Sequence, residues 1–409
     1  SEKSIELPIP IPQEEGEYVE EISFRLREDR AWAKAGHEVA YGQGVYGAFD
    51  SSVLLAKSAY APKDSCVSGD GCEIKSGCEL ENGEALPDKA VAKNQEENAA
   101  EKKRPQGRQR LVGDGKSKLR VARGWMNTGV YGEDFSVLFS GRFGGMVSYC
   151  HKGKMLFCDI PRPNFWRPMT ENDLGNMQPF RSGQWKIASS FSSMMKEHGR
   201  AADYYRVEEL EDSVRVTYTY HLATSPSRDC LLSYRVYSDG SVACHLEMEP
   251  TAEIGQLPEF GLLFTMDADY EKLRWYGRGP QETYADRPHG KLDLFSNRVA
   301  DNMARYLRPS ECGNKIDVRW AECVDEKGHG VLFAMADSPF HFSALPYSPD
   351  MIDCAQHAYE LPRVDKTWIR ISKAQMGVGG DDSWGALVHP EYCIDNSRKL
   401  EFNFIFRGI

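Results

Sequence analysis

The feature that most constrains this chain is a two-residue repeat of apolar side chains. In "VRVTYTYHL" (214–222) it sets Val214, Val216, Tyr218 and Tyr220 on one face. In "KLEFNFIFRG" (399–408) it turns Leu400, Phe402, Phe404 and Phe406 inward. A strand sends alternate side chains to opposite faces, whereas a helix would scatter these residues around its circumference. "LLSYRVYSDGSVACHLEME" (231–249) reads as a hairpin, with Ser-Asp-Gly-Ser supplying the turn. The pattern recurs from Leu119 to the end, and few stretches show a helical face. Aromatic residues make up 11% of the chain, with 8 Trp, 19 Tyr and 18 Phe. Rings at that density suit strands, and they also suit surfaces that cover the C–H face of a sugar. The expectation is an all-β fold, a large antiparallel sandwich with many strands in two broad layers.

The organisation has three zones. Residues 1–57 carry two strand-like stretches, "YVEEISFRLRED" and "HEVAYGQGVYGAF". That is too little chain for a whole sandwich, which needs about 100 residues, so it reads as the back half of one. From Pro62 to Lys118 there is no Phe, Trp, Tyr or Met. Such a stretch cannot bury enough apolar surface to offset the entropy of ordering, so 58–118 is expected to be a disordered polar linker or insertion. Residues 88–103 have the composition of a marginal helix. Residues 119–409 form the main domain.

Composition excludes several functions. A formal net charge of -11 opposes binding to a phosphate backbone. No stretch approaches the roughly 20 apolar residues of a membrane helix. The acidic, proline-bearing N-terminus has no basic segment and no apolar run, so it does not read as a signal peptide. The chain opens on Ser1 without a methionine, as a processed or excised piece does. Its 11 cysteines are scattered, without a Cys-x-x-Cys pair. They read as reduced thiols of a cytoplasmic protein. Cys66, Cys72 and Cys78 cluster without a nearby histidine, so no metal site is assigned.

Carboxylates that could pair, as glycoside hydrolysis requires, are Glu171 and Asp173 in "RPMTENDLG", Glu282 and Asp286 in "RGPQETYADR", Glu311 in "RPSECGNKIDVRW", and Asp381 with Asp382 in "MGVGGDDSWG". The last two are adjacent, so in extended chain they diverge. In a glycine-rich loop such residues bond their own backbone, and both are read as shaping the loop. "WYGRGPQETYADR" (275–287) lacks the third glycine and the following helix of a nucleotide site. It reads as a strand entering a tight turn, where Arg278 and Arg287 clamp Glu282 or Asp286. "RPNFWRPMTENDLG" reads as a rigid connection or a loop bordering a pocket. His341 and His357 read as hydrogen-bonded core residues.

Taken in order, these stretches resemble the C-terminal region of glycoside hydrolase family 2 β-galactosidases. The matching pieces are "AWAKAGHEVAYGQ" (31–43), "EDFSVLFSGRFGGMVSY" (133–149), "FWRPMTENDLG" (165–175), "WYGRGPQETYADR", "RPSECGNKIDVRW" (308–320), "FHFSALPYS" (340–348) and "QMGVGGDDSWG" (375–385). The chain also resembles the small subunit of two-chain β-galactosidases. Departures are Tyr41 where Trp is common, Glu171 where Asp is common, and the 62–118 insertion.

The resemblance implies a galactose mutarotase-like β-supersandwich, preceded by the end of an immunoglobulin-like β-sandwich. It implies that both catalytic glutamates, with magnesium and sodium ions, lie in a (β/α)-barrel absent from this chain. The chain itself would be inactive alone and would bind no cofactor. Trp384 matches a tryptophan that reaches into the barrel's sugar pocket. Gly175 matches a glycine that opens a mobile loop, here Leu174 to about Trp185. Asn172, Asp173, Gly379, Gly380, Asp381 and Asp382 would shape the pocket loops. The partners implied are the barrel, in cis or as a separate subunit, and a galactoside such as lactose, within an oligomer. Two other readings stand beside this one. The first is a non-catalytic carbohydrate-binding or assembly module. The second is a mutarotase-like isomerase, with His357 and Glu311 as acid and base.

Overall fold

Alternation of apolar residues builds one broad layer of antiparallel strands. The structure is a computed structural model that describes residues 15–56, 108–112, 119–191, 204–382 and 384–409. Its largest sheet has nine strands. In spatial order they are Tyr205–Glu209, Ser213–Leu222, Arg228–Tyr237, Val242–Met248, Leu400–Gly408, Gly330–Met335, Trp320–Val324, Lys272–Gly279 and Lys291–Arg298. The hairpin expected at 231–249 forms, with Val236 opposite Val242. Its turn is tied by Asp239, whose carboxylate accepts from the Ser241 amide at 2.9 Å. Gly240 takes the left-handed φ of 84° that this turn requires.

The opposing layer comes from two smaller sheets. A six-stranded sheet runs from Arg108–Val112 to Lys154–Met155. A five-stranded sheet orders Lys315–Val318, Phe340–Leu345, Lys366–Gln375, Glu259–Asp267 and Arg162–Asn164. Both press apolar faces into one core cluster shared with the nine-stranded sheet. Val214, Val216, Tyr218, Tyr220, Leu400, Phe402, Phe404 and Phe406 are all buried there, as the two-residue repeat predicts. Phe264 sits among Phe157, Phe333 and Phe406, with ring centroids 5.1–5.7 Å apart and steeply tilted rings. Aromatic edges and faces attract in this geometry, beyond the area they bury. Two buried tyrosines of this core have their hydroxyls satisfied: Tyr220 donates to the Gly144 carbonyl and Tyr149 to that of Gly240, both at 2.7 Å.

Two strands at the N-terminal end, Tyr18–Arg25 and Glu38–Tyr46, pair as a separate ribbon. It leans on the edge strand Lys291–Arg298. The Gln43 side chain accepts from the Leu292 amide at 2.8 Å, and Lys291 bonds Glu21 at 2.7 Å and Glu38 at 3.0 Å. Ile22, Phe24, Val39, Val45 and Tyr46 of the ribbon are exposed.

Several expectations are corrected. The stretch 58–118, expected to be linker throughout, contributes the strand Arg108–Val112, which pairs with Leu119–Arg123. The remainder of that stretch lies outside the described residues, as do the helix expected at 88–103 and Cys66, Cys72 and Cys78. Leu174 to Trp185, expected as a loop, is mostly helical. A short helix, Glu171–Gly175, stops at Asn176, and Met177 turns the chain at φ 62° into the helix Gln178–Phe191. That helix forms because Trp185 and Ala188 bury completely, with Trp185 against Phe165. His357 is exposed rather than in the core and pairs with Glu360 at 2.9 Å. His341 has its Nδ1 buried without a hydrogen-bond partner, and burial pushes its pKa down to about 4.

Candidate functional site

The glycine-rich loop that follows strand Lys366–Gln375 is pinned from several sides. Asp286, from the turn after strand Lys272–Gly279, accepts from the Gly379 amide at 2.7 Å. A Cβ at Gly377 would stand 2.7 Å from the same carboxyl, and one at Gly380 would stand 2.7 Å from the Ala386 carbonyl. The glycines are therefore needed for close approach. Asn172 and Asn176 each reach the Ala386 carbonyl at 3.4 Å. Beneath them Arg167 and Asp173 form a fully buried ion pair at 2.7 Å, and Arg167 also donates to the Gly377 carbonyl at 2.9 Å. Asp173 further caps the short helix through Thr170. It is thus a support buried under the loop rather than a pocket-lining group.

Within the loop the two aspartates divide the work. Asp382 accepts from the amides of Trp384 at 2.8 Å and Ala386 at 3.2 Å, and those amides hold its carboxyl below the usual range. Asp381 bonds His389 at 2.9 Å, which raises the imidazole's pKa. Trp384 itself is 87% exposed. A backbone this constrained, carrying an indole this bare, presents a flat apolar surface outward. Met177, Phe180 and Leu387 nearby are also exposed.

Beside the loop opens a cavity of about 700 Å³, bordered by Thr170, Asn172 and Val378 on the loop side and by Glu282, Tyr306 and His357 on the other. Every carboxylate singled out from the sequence is engaged. Glu282 takes Arg287 at 2.8 Å and the Gly313 amide at 2.9 Å, and Glu311 takes Arg370 at 2.6 Å. Glu171 lies 3.8 Å from Arg308. The expected Arg287–Glu282 clamp forms, but Arg278 pairs instead with Asp317 at 2.5 Å. His357 and Glu311 border the same cavity, yet each is committed to another partner. Among the described residues no group of three or more His, Cys, Asp or Glu side chains is placed to hold a metal. The brace from Asp286 was missed in the sequence, since nothing there links it to a loop 93 residues away.

Residues 131–406 match the model of the β-galactosidase small chain, and residues 1–46 match β-galactosidase domain 4. The chain belongs to the β-galactosidase small-chain family. A β-galactosidase of Halalkalibacterium halodurans is 35% identical over 96% of this chain and 32% of its own length. One from Priestia megaterium is 33% identical over 98% of this chain and 33% of its own. This chain thus spans about a third of the length of those curated relatives. The β-galactosidase small subunit of Latilactobacillus sakei is 33% identical over 70% of this chain and 97% of that one. Among solved structures, a galactose mutarotase related enzyme from Lactobacillus acidophilus aligns with 69% of this chain and 97% of its own. The TM-score is 0.37 and the identity 10%. This small-chain member carries its pinned loop and bare tryptophan on an antiparallel β support. Among the described residues no helix is long and apolar enough to cross a membrane, and no disulfide forms.

Proposed function

We propose that this chain is the small-chain part of a β-galactosidase and presents Trp384 to a sugar pocket built mainly by a catalytic (β/α)-barrel. The barrel belongs to the same polypeptide or to a separate subunit. The observation that carries this reading is the pinned loop with its indole 87% exposed. The engaged state of this chain's carboxylates supports it further. A glycosidase needs two carboxyls free to act on the bond from opposite sides. Here Asp173, Asp286, Glu282 and Glu311 are tied into ion pairs or backbone contacts.

In this reading the barrel supplies two carboxylates for retaining hydrolysis of a terminal β-galactoside, and it holds the magnesium and sodium ions. The small chain stacks the Trp384 ring on the substrate and excludes water. Met177, Phe180 and Leu387 then meet the barrel, since apolar surface left bare tends to find a partner. The complete assembly is an oligomer of the cytoplasm.

The test mixes the purified chain with a separately made barrel portion and follows nitrophenyl-galactoside hydrolysis. The chain alone is expected to be inert, and turnover is expected to appear on mixing. Substantial turnover by the chain alone would overturn the reading.

A further inference from the structure

The floor and one wall of the 700 Å³ cavity carry polar groups that the fold leaves unanswered. Tyr284, only 2% exposed, lines the cavity, and its hydroxyl has no hydrogen-bond partner. Arg308, on the same wall, has its Nε buried without one. A buried hydroxyl left unpaired costs free energy, and native structures tolerate such groups mainly where something else completes them. Glu311 reinforces the floor. Arg370 holds its carboxylate in place through bonds of 2.6 and 2.8 Å and is itself anchored to Glu259 at 2.9 Å.

We propose that this cavity is a binding site for a neutral, polyhydroxylated ligand of mono- to disaccharide size. The volume falls in the range of roughly 300–1,000 Å³ usual for small-molecule sites. The lining opposes a net charge of either sign. Glu171 and Glu282 would repel an anion, and Arg287 and Arg308 would repel a cation. A sugar hydroxyl both donates and accepts, so it can answer carboxylate, phenol and guanidinium together. Tyr306 and Leu307, exposed at the rim, offer an apolar surface for the C–H face of a ring. Tyr306, Leu307, Arg308 and Ser310, which line this wall, are neither strand nor helix, so the wall can yield to an incoming oxygen. The cavity shares Thr170, Asn172 and Val378 with the support of the Trp384 loop.

The inference rests on the galactoside reading for its choice of probe. Calorimetric titration of the full chain with D-galactose and with lactose provides the test, with inorganic phosphate as a charged control. Saturable binding of a sugar, and none of phosphate, is expected. Tyr284→Phe should weaken sugar binding about tenfold, the loss of one good hydrogen bond. Its unfolding temperature should stay level or rise, because the hydroxyl has no partner in the protein to lose. Trp125→Ala, which removes an exposed ring that does not line the cavity, should leave this binding within twofold. No saturation with either sugar overturns the site, as does binding that ignores Tyr284→Phe. Failure here with hydrolysis intact on mixing with the barrel removes this inference alone. Sugar binding with an inert mixture removes the galactosidase reading instead.

Discussion

Two groups of aromatic residues in this protein are used in opposite ways. Phe264, Phe333, Phe404 and Phe406 are wholly buried where the nine-stranded and five-stranded sheets meet. Trp384 is held by its backbone and covered by almost nothing. In the core, position follows from burial, because each ring is fixed by the rings around it. On the loop, position follows from hydrogen bonds to the backbone, and the ring contributes little to the fold that carries it. Order without burial marks a side chain kept for something outside the domain. The largest effect that tests this contrast is Phe406→Ala, which removes a ring packed on Tyr149, Phe157, Phe264 and Phe333. Urea unfolding should show a loss of about 4 kcal/mol, in the range for truncating a buried Phe. A loss under about 1 kcal/mol would mean that the core is not organised around these rings.

The second effect lies between the two regions. Asp173→Ala leaves Arg167 buried without its ion-pair partner, and it removes the reciprocal half of the capping box on helix Glu171–Gly175. The expected loss is about 3 kcal/mol, since an uncompensated buried charge is costly. Because Arg167 also holds the Gly377 carbonyl, the Trp384 loop should loosen as well. Amide hydrogen exchange at Gly379 and Trp384 should quicken. Stability lost with exchange unchanged would separate the support from the loop.

The two regions also differ in what the sequence discloses. The core is legible because its signal is local. Val214 to Leu222, the hairpin about Asp239 and the run Leu400 to Phe406 each state their face within one strand. The helix Gln178–Phe191 was not legible, because its buried side consists of Trp185 and Ala188 among polar neighbours. The roles of Asp381 and Asp382 as loop braces were readable from glycine-rich context. The brace from Asp286, and the chain Glu259–Arg370–Glu311, were not. They join residues far apart in the sequence, and a charge on a turn or strand looks solvent-facing until the fold covers it.

That buried chain gives a third test. Glu311 has its carboxyl pushed up to about 7, by burial first, against the pull of Arg370 and with Glu259 adding to the rise. A carboxyl raised on folding favours the folded state while it is protonated. Its contribution is complete below about pH 4.5, its ordinary value, and it is lost as pH climbs through 7. Between pH 5 and 7 the decline amounts to about 2 kcal/mol. Glu311→Gln should flatten that part of the stability–pH curve relative to the unaltered protein. Parallel curves for the two would place the proton elsewhere.

The smallest effect on the fold is the one the contrast most depends on. Trp384→Ala removes a ring that covers little of this domain, so the unfolding free energy should change by no more than about 0.5 kcal/mol. Asp382→Ala should cost the loop more than that, about 1 kcal/mol, because it leaves the amides of Trp384 and Ala386 without their acceptor. The order reverses in hydrolysis measured with the barrel portion present. There Trp384→Ala should lower the rate on the order of a hundredfold, as loss of a positioning surface can. Asp382→Ala keeps the ring and only widens its range of positions, so its loss should be milder. If Trp384→Ala instead destabilised the isolated chain by several kcal/mol, the ring would belong with the core aromatics, and its exposure would not signify a partner.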